Sequence, residues 1–337
     1  MGNDRFSVVP PHGFRYLQTG TPAPAGKGDG TTMTFLTDEV LSIVGTSTEP
    51  RRGLVTAYDI RKFATGIDDP DPLYTDPEAA RAAGYADVIS PPLFNAAVLR
   101  PTPFREGFLN DGQYETTAPP GLTHLQTMLA GQRWEIVRPS VAGEEIQEVF
   151  TTKSITEKQG KTGPIVFVEK ESVVSTRDGE VIERYGSTLI LREPPPPLPP
   201  YEGAGREGHP EGTPATAWED GAMIKRPDMI SLFLFVGAIW AVHRIHWDPP
   251  YAQKEGLPAP ILPGWMLSSY LAQLARTRAP QGQRLHRIDV RYKAPVHPGD
   301  TLRCTAEPDS AGGGLALRMV NQNGLDNAGG TASFLPV

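Results

Sequence analysis

"HRIHWDPPYAQKEGLPAPILPGWML", His243 to Leu267, carries two histidines and an aspartate ahead of a proline-rich turn and a Pro-Gly step. It follows the most apolar run of the chain, "MISLFLFVGAIWAV" (Met229 to Val242). An earlier stretch, "YTDPEAARAAGYADVISPPLF" from Tyr74, lies over the segment from His246 without a gap at an offset of 172 residues (246 − 74). Asp76 then falls on Asp248, Ala80 on Ala252, Gly84 on Gly256, Pro91 on Pro263 and Phe63 on Phe235. Further on, "RPSVAGE" (Arg138 to Glu144) matches "APVHPGD" (Ala294 to Asp300) at an offset of 156 (299 − 143). The first half therefore holds 16 extra residues (172 − 156), in or near the turn-rich "RPTPFREGFLNDGQYETTAPPG" (Arg100 to Gly121). An internal duplication of one supersecondary unit explains both matches.

Each unit reads the same way. A helix is expected after Pro-Pro or Pro-Gly, where proline favours a helix start: "LFNAAVLR" in the first half and "WMLSSYLAQLARTR" in the second. Met266, Leu267, Tyr270, Leu271, Leu274 and Ala275 recur at helical spacing and cover much of that second helix, as in a buried one. Strands follow, marked by alternation and β-branched residues. They are "QRWEIVRP", "IQEVFTTKSITEK", "GPIVFVEKESVVST" and "RYGSTLIL", then "HRIDVRYKAP", "TLRCTAE", "GLALRMVN" and "GGTASFLPV". The implied class is α+β, a long central helix wrapped by an antiparallel sheet, twice over. The expected organisation is a flexible arm over residues 1–30, a first unit over 31–191, a Pro/Gly-rich linker over 192–214 and a second unit over 215–337. The linker, "REPPPPLPPYEGAGREGHPEGTP", is neither helix nor central strand, because proline lacks the amide donor and fixes its own backbone angle.

The chain of 337 residues is 39% hydrophobic and 21% charged, which suits a globular protein. Its formal net charge of −7 argues against a nucleic-acid partner, which wants a basic face. One cysteine, Cys304, excludes an internal disulfide, and its strand-like surroundings read as a buried or half-buried thiol. The N-terminus has no basic-then-apolar run, so no secretory signal is expected. The 14 residues Met229 to Val242 are too few to span a bilayer and read as a buried core segment. A cytoplasmic protein with no membrane partner is expected. His and Cys lack metal-ligand spacing, and neither a phosphate-cradling Gly loop nor a Gly-x-Ser-x-Gly elbow is present, so no metal or cofactor is implied.

With "VHRIHWDPPYA" ahead of Gly264, the chain resembles the MaoC-like dehydratases of the hot-dog superfamily. It is most similar to their double hot-dog members, the fatty-acid-synthase-type dehydratases and mesaconyl-CoA hydratases. The family's hydratase motif runs Ser-Gly-Asp-x-Asn-Pro-x-His-x-Asp and is followed by a glycine that opens the hot-dog helix. Its His falls on His246, its last Asp on Asp248 and its glycine on Gly264, while "TGIDDPDPLYTDPEAARAAGY" is a decayed copy. The likeness runs from about Leu54 to Val337, apart from the linker. It implies a double hot-dog fold and a lyase that adds or removes water at the 2,3-position of an enoyl or 3-hydroxyacyl thioester, carried by CoA or by an acyl carrier protein. It also implies His246 as acid/base and the Gly264 amide as donor to the thioester oxygen. A homodimer is compatible with it.

Physical need points to the same half. A helix N-terminus offers free N–H groups and a favourable dipole to a developing oxyanion. The counterpart of Gly264 is Pro92 (264 − 172), which has no N–H, and that of His246 is Tyr74, whose phenol is a poor base with a pKa near 10. His243 stands where the motif has Asn and reads as a catalytic or loop-ordering group. Asp248 recurs as Asp76, which favours a helix cap beside a chemical role. The family's acid, five residues before the histidine, is replaced by Ala241, and an acid survives only as Asp69 in the first half. Arg244 is a candidate for a carboxylate or phosphate contact, and Trp265 for a substrate contact at the helix mouth. Arg291 and Lys293, with Arg287 on the same strand face, are candidates for the phosphates of CoA or a pantetheine arm. Because of Ala241, two further readings stay open. One is a repurposed hot-dog isomerase, cyclase or other elimination enzyme acting on a bulky or polyketide-like substrate. The other is a non-catalytic acyl-thioester-binding subunit.

Overall fold

A computed structural model of the protein describes residues 34–114, 117–198, 209–310 and 313–337. The expected arm over residues 1–30 lies outside these, as do residues 199–208 of the expected linker. In chain order the first half runs α1 (Asp38–Leu41), β1 (Arg51–Leu54), α2 (Ala57–Gly66), α3 (Pro77–Ala82) and α4 (Ala96–Leu99). Four long strands follow: β2 (Gln126–Ile136), β3 (Glu145–Gly160), β4 (Gly163–Thr176) and β5 (Val181–Arg192). The second half has β6 (Thr216–Glu219), β7 (Ala222–Lys225), α5 (Met229–Ala238), α6 (Pro249–Lys254) and α7 (Gly264–Thr277). It ends with β8 (Gln283–Tyr292), β9 (Leu302–Pro308), β10 (Leu315–Asn321) and β11 (Asp326–Pro336). Single 3-10 turns, Pro72–Tyr74 and Arg244–His246, precede α3 and α6.

The strands form one antiparallel sheet in the order β1-β3-β4-β5-β2-β8-β11-β10-β9-β7-β6. The halves join where β2 pairs with β8, Trp134 opposite Ile288. The eight strands expected from alternation are all present. β1 and the β6–β7 hairpin were not expected, since four residues are too few for a period of two to stand out. The architecture is α+β, a double hot dog.

The repeat holds element by element at 172 residues. Ala57–Gly66 maps onto Met229–Ala238, Pro72–Tyr74 onto Arg244–His246, and Pro77–Ala82 onto Pro249–Lys254. Caps repeat too: the Thr56 hydroxyl accepts from the Asp59 amide, and the Asp228 carboxylate accepts from the Ser231 amide. Two contacts join a residue to its own counterpart. The rings of Phe63 and Phe235 lie 5.6 Å apart, and Trp265 Nε1 donates to the Leu93 carbonyl at 2.8 Å. Such self-pairs mark the internal twofold axis.

The two central helices are unequal. α7 has 14 residues, buried from Trp265 to Ala275 against the sheet. The helix expected over "LFNAAVLR" shrinks to the four residues of α4. Leu93, after Pro91 and Pro92, sits at φ +67°, outside the helical region, and Arg100 is extended ahead of Pro101. The apolar run at Met229 is also corrected. α5 packs on α2 and buries Leu232, Phe235 and Ala238, while Ile230 and Phe233 are 69% and 73% exposed. No helix among the described residues is long and apolar enough to cross a membrane.

The first-half positions matching Ala241, His243 and His246 are Asp69, Asp71 and Tyr74. Arg276, from the last turn of α7, fills them. Its guanidinium is 3.3 Å from the Asp69 carboxylate, bonds Asp71, and lies 5.4 Å over the Tyr74 ring. Burial raises the Asp69 carboxyl even against the pull of Arg276 and Lys225. Lys225, 1% exposed, donates to the carbonyls of Ile67 (2.7 Å) and Asp68 (3.1 Å), and burial draws it down to about 8. Arg276→Leu leaves two carboxylates without their cation and should cost on the order of 3 kcal/mol in urea unfolding with the slope unchanged. Asp69→Asn should cost less, because burial already opposes its charge. A loss below about 1 kcal/mol for Arg276→Leu would show that the cluster does not hold the halves together.

Candidate active site

The 3-10 turn Arg244–His246 is fixed to the strand-like entry of α7 by two bonds. The Ile261 amide donates to the Ile245 carbonyl at 3.1 Å, and His246 Nδ1 lies 2.8 Å from the Ile261 carbonyl. A carbonyl has no proton to give, so Nδ1 carries the hydrogen and Nε2 the lone pair. No group among the described residues is hydrogen-bonded to Nε2. The first half keeps only the backbone bond, Ile89 to Leu73 at 3.0 Å, with Tyr74 in the place of the imidazole.

Three residues after Ile261, α7 begins at Gly264. Its N-cap is Pro263, which offers no side-chain cap, and the amides of Gly264 and Trp265 have no acceptor among the described residues. The helix thus begins with two bare N–H groups, three residues on from the carbonyl that tethers the imidazole. A Cβ on Gly264 would fall 2.8 Å from Tyr292 Cζ and 3.2 Å from Leu129 Cδ2. The Tyr292 ring is held in turn by Ser268 at 2.5 Å and Gln132 at 2.7 Å.

Burial pushes the His246 imidazole down to about 3. The neighbouring His243 ring and the Arg100 guanidinium act the same way, and the bond to Ile261 opposes them. The two imidazoles stand edge to face with centroids 6.0 Å apart. Burial also lowers His243, and the Asp111 carboxylate, 3.8 Å from its Nε2, pulls it back in part. At neutral pH both rings are neutral, and His246 Nε2 is able to accept a proton. Arg100 sits 5.7 Å over the Trp265 ring.

The other sequence candidates are placed as follows. Asp248 caps α6 through the Tyr251 amide (3.4 Å) and binds Arg244 Nε at 2.7 Å, as Asp76 caps α3 through Glu78 (2.8 Å). The Arg244 guanidinium is occupied by that carboxylate and lies 4.6 Å over the Tyr251 ring, so it is not free for an anionic ligand. Trp265 is buried, with its ring edge-on to Trp134 (5.5 Å) and Tyr185 (5.3 Å), and it anchors the mouth of α7. Arg291 and Lys293 are exposed, on the strand face opposite Ile288 and Val290, and Lys293 is 3.6 Å from Asp326. The parity of Arg291 on β8 carries it away from α7, Lys293 lies just past the end of that strand, and no contact joins either to His246 among the described residues. Of two surface clefts, one is lined by Arg133, Glu171 and the candidate Arg287 and the other by Arg52, Gln147 and Arg177; neither holds any other candidate residue. Ala241 is buried and its side chain offers no polar atom. Among the described residues, no three His, Cys, Asp or Glu side chains converge as metal ligands. Arg100 and Asp111 were missed by sequence reasoning; the one signal was the surplus length around them.

Residues 42–184 match the family described as "FAS1-like, dehydratase domain region", and residues 234–317 match "MaoC like domain". A UPF0336 protein of Streptomyces avermitilis is 37% identical over 131 residues, 39% of this chain and 75% of that one. The chain belongs to the MaoC-like double hot-dog family. This MaoC-like chain is also 27% identical over 237 residues to a mesaconyl-C(4)-CoA hydratase of Chloroflexus aurantiacus, 69% of this chain and 80% of that protein. A MaoC-like dehydratase from Phytophthora capsici shares the fold with a TM-score of 0.63 and 16% identity, over 89% of this chain and 97% of that one. A Mycobacterium tuberculosis protein described as a double hot dog superposes with a TM-score of 0.55 and 13% identity, over 87% and 96%.

The His246 ring should titrate in the folded protein near 3, well below its ordinary 6.5. A folded value below the unfolded one means that protonation favours unfolding. The stability tied to neutral His246 is therefore present above about pH 6.5 and is lost as pH falls towards 3. Imidazole NMR should find the ring neutral at pH 5, and His246→Gln should flatten the acid limb of stability against pH. A titration midpoint above pH 6 in the folded protein would contradict the burial described here.

Proposed function

We propose that the protein is a hydro-lyase, an enoyl-thioester hydratase or 3-hydroxyacyl-thioester dehydratase acting on a CoA- or carrier-bound acyl group. One observation carries the reading: a neutral imidazole with an unbonded Nε2 is tethered, through the Ile261 carbonyl, three residues from a bare helix N-terminus. In this reading the thioester oxygen accepts from the Gly264 N–H, which holds the charge that gathers there as the double bond is attacked. His246 Nε2 takes a proton from water as the water oxygen bonds to C3. The imidazolium then returns that proton to C2, and the net change is addition of one water. Dehydration runs the same steps backwards. Burial disfavours the imidazolium, so it gives the proton up readily. The likeness to a mesaconyl-C(4)-CoA hydratase supports a CoA thioester as substrate.

Ala241 favours one second reading. Without a polar group at that buried position, the same base and oxyanion donor would serve an isomerisation or another elimination that needs no such group.

A panel of trans-2-enoyl-CoAs, followed by loss of the conjugated absorbance, tests the proposal. His246→Ala should lower turnover by about 10²- to 10⁴-fold. Gly264→Ala should also lower it, since the new methyl meets the Tyr292 ring. Turnover untouched by His246→Ala would remove that residue from the chemistry, and saturable binding without turnover would mark an acyl-thioester-binding protein instead.

A further inference from the structure

The surplus segment of the first half is seated on the motif of the second. Residues 109–113 form a tight turn, with the Leu109 amide bonded to the Gln113 carbonyl at 2.8 Å and the Gly112 amide to the Leu109 carbonyl at 3.0 Å. The turn docks through three bonds. The Arg244 amide donates to the Asp111 carbonyl at 2.7 Å, the Tyr114 hydroxyl to the Trp240 carbonyl at 2.9 Å, and Arg244 Nη1 to the Asn110 carbonyl at 3.4 Å. Gly112 has φ +84°, and a Cβ there would lie 2.2 Å from the Val242 carbonyl oxygen. The approach is possible only without a side chain at that position.

The docked turn sets the Asp111 carboxylate 3.8 Å from His243 Nε2. That carboxylate is 16% exposed and is oriented by the amide (2.8 Å) and Nε2 (2.8 Å) of Gln113. Two other carboxylates near the motif positions are committed elsewhere: Asp248 caps α6 and binds Arg244, and Asp69 lies under Arg276.

We infer that Asp111, reaching in from the surplus loop, is the carboxylate partner of this site and acts through His243 in place of the acid that Ala241 lacks. The inference rests on the hydratase reading. Asp111 is a positioning residue. Its charge favours the His243 tautomer with the hydrogen on Nε2, which leaves Nδ1 as an acceptor for the attacking water. The water's proton still goes to His246 Nε2, so Asp111 neither gains nor loses one. At 3.8 Å the carboxylate stands just beyond hydrogen-bond reach of the neutral ring, and the role assigned to it requires that this distance shorten in the substrate complex.

The test uses the full chain with Asp111→Asn and Asp111→Glu, each alone and with Ala241→Asp. Asp111→Asn should lower kcat for enoyl-CoA hydration by about 10- to 100-fold with little change in KM. Asp111→Glu should keep more of the rate, and Ala241→Asp should restore part of what Asp111→Asn loses. Imidazole ¹⁵N shifts should show His243 leaving its Nε2–H form in Asp111→Asn. Wild-type kcat with an unchanged His243 spectrum would overturn the inference. So would a loss confined to melting temperature and KM, which would make the loop a mere support. Should the wild-type protein hydrate none of the enoyl thioesters, the functional reading fails by itself. The His243 spectrum then decides separately whether Asp111 sets that ring's tautomer.

Discussion

The phenyl rings of Phe63 and Phe235 meet on an internal twofold axis, and each is the other's copy. A residue on such an axis faces its own kind, so a charge there would face a like charge and a small residue would leave a paired gap. Two buried phenylalanines satisfy the constraint. Everything further from the axis then comes in pairs, including two potential sites, each lying where the chain of the other half passes. The fold thus begins symmetric, and function depends on how the sequence breaks the symmetry.

It breaks it with charge. The first site holds Asp69, Asp71 and Tyr74, and α7 is long enough to bring Arg276 onto them. That constellation joins residues of both halves through the Arg276 guanidinium, although its Nε is left without a hydrogen-bond partner among the described residues. The second site holds Ala241, His243 and His246, with no cation among the described residues bonded to their side chains. His246 uses one nitrogen to fix its ring and leaves the other unbonded. An imidazole kept neutral by burial loses its contribution to stability in acid and stands unprotonated near neutrality. One copy of the site is bridged across the halves by a cation, and the other leaves one imidazole nitrogen unbonded among the described residues.

Much of this was legible before any coordinates. Period-two alternation marked the long strands, and β4 begins and ends where its pattern does. The 172-residue offset carried the helices, turns and caps, and the contrast of Gly264 with Pro92 and of His246 with Tyr74 pointed to the second half. What stayed hidden had physical causes. "LFNAAVLR" has the composition of a helix, but Leu93 at φ +67° and Pro101 restrict it to one turn. α5 is apolar all round, which reads as burial, yet Ile230 and Phe233 are left exposed. The approach of Asp111 to His243 joins a loop to a turn 132 residues away (243 − 111), and neither segment has a periodicity that betrays a contact. Arg276 read as the end of a helix, since nothing in its own segment shows two carboxylates waiting in the other half.

The shortened α4 ties these asymmetries together. Had it matched α7, the residue brought to the second site would be the counterpart of Arg276, which is Phe104 (276 − 172). A phenyl ring over His246 would have covered Nε2 without satisfying it. Instead the helix stops at Leu99, Phe104 is left 85% exposed, and the chain spends its surplus on a loop that returns to residues 240–244. The loop delivers what the helix would not: a backbone carbonyl for the Arg244 amide and a carboxylate beside His243. On the inference drawn above, the absence of an acid at Ala241 and the surplus loop belong together: the carboxylate that the family's motif carries in its own segment comes here from Asp111, across the axis.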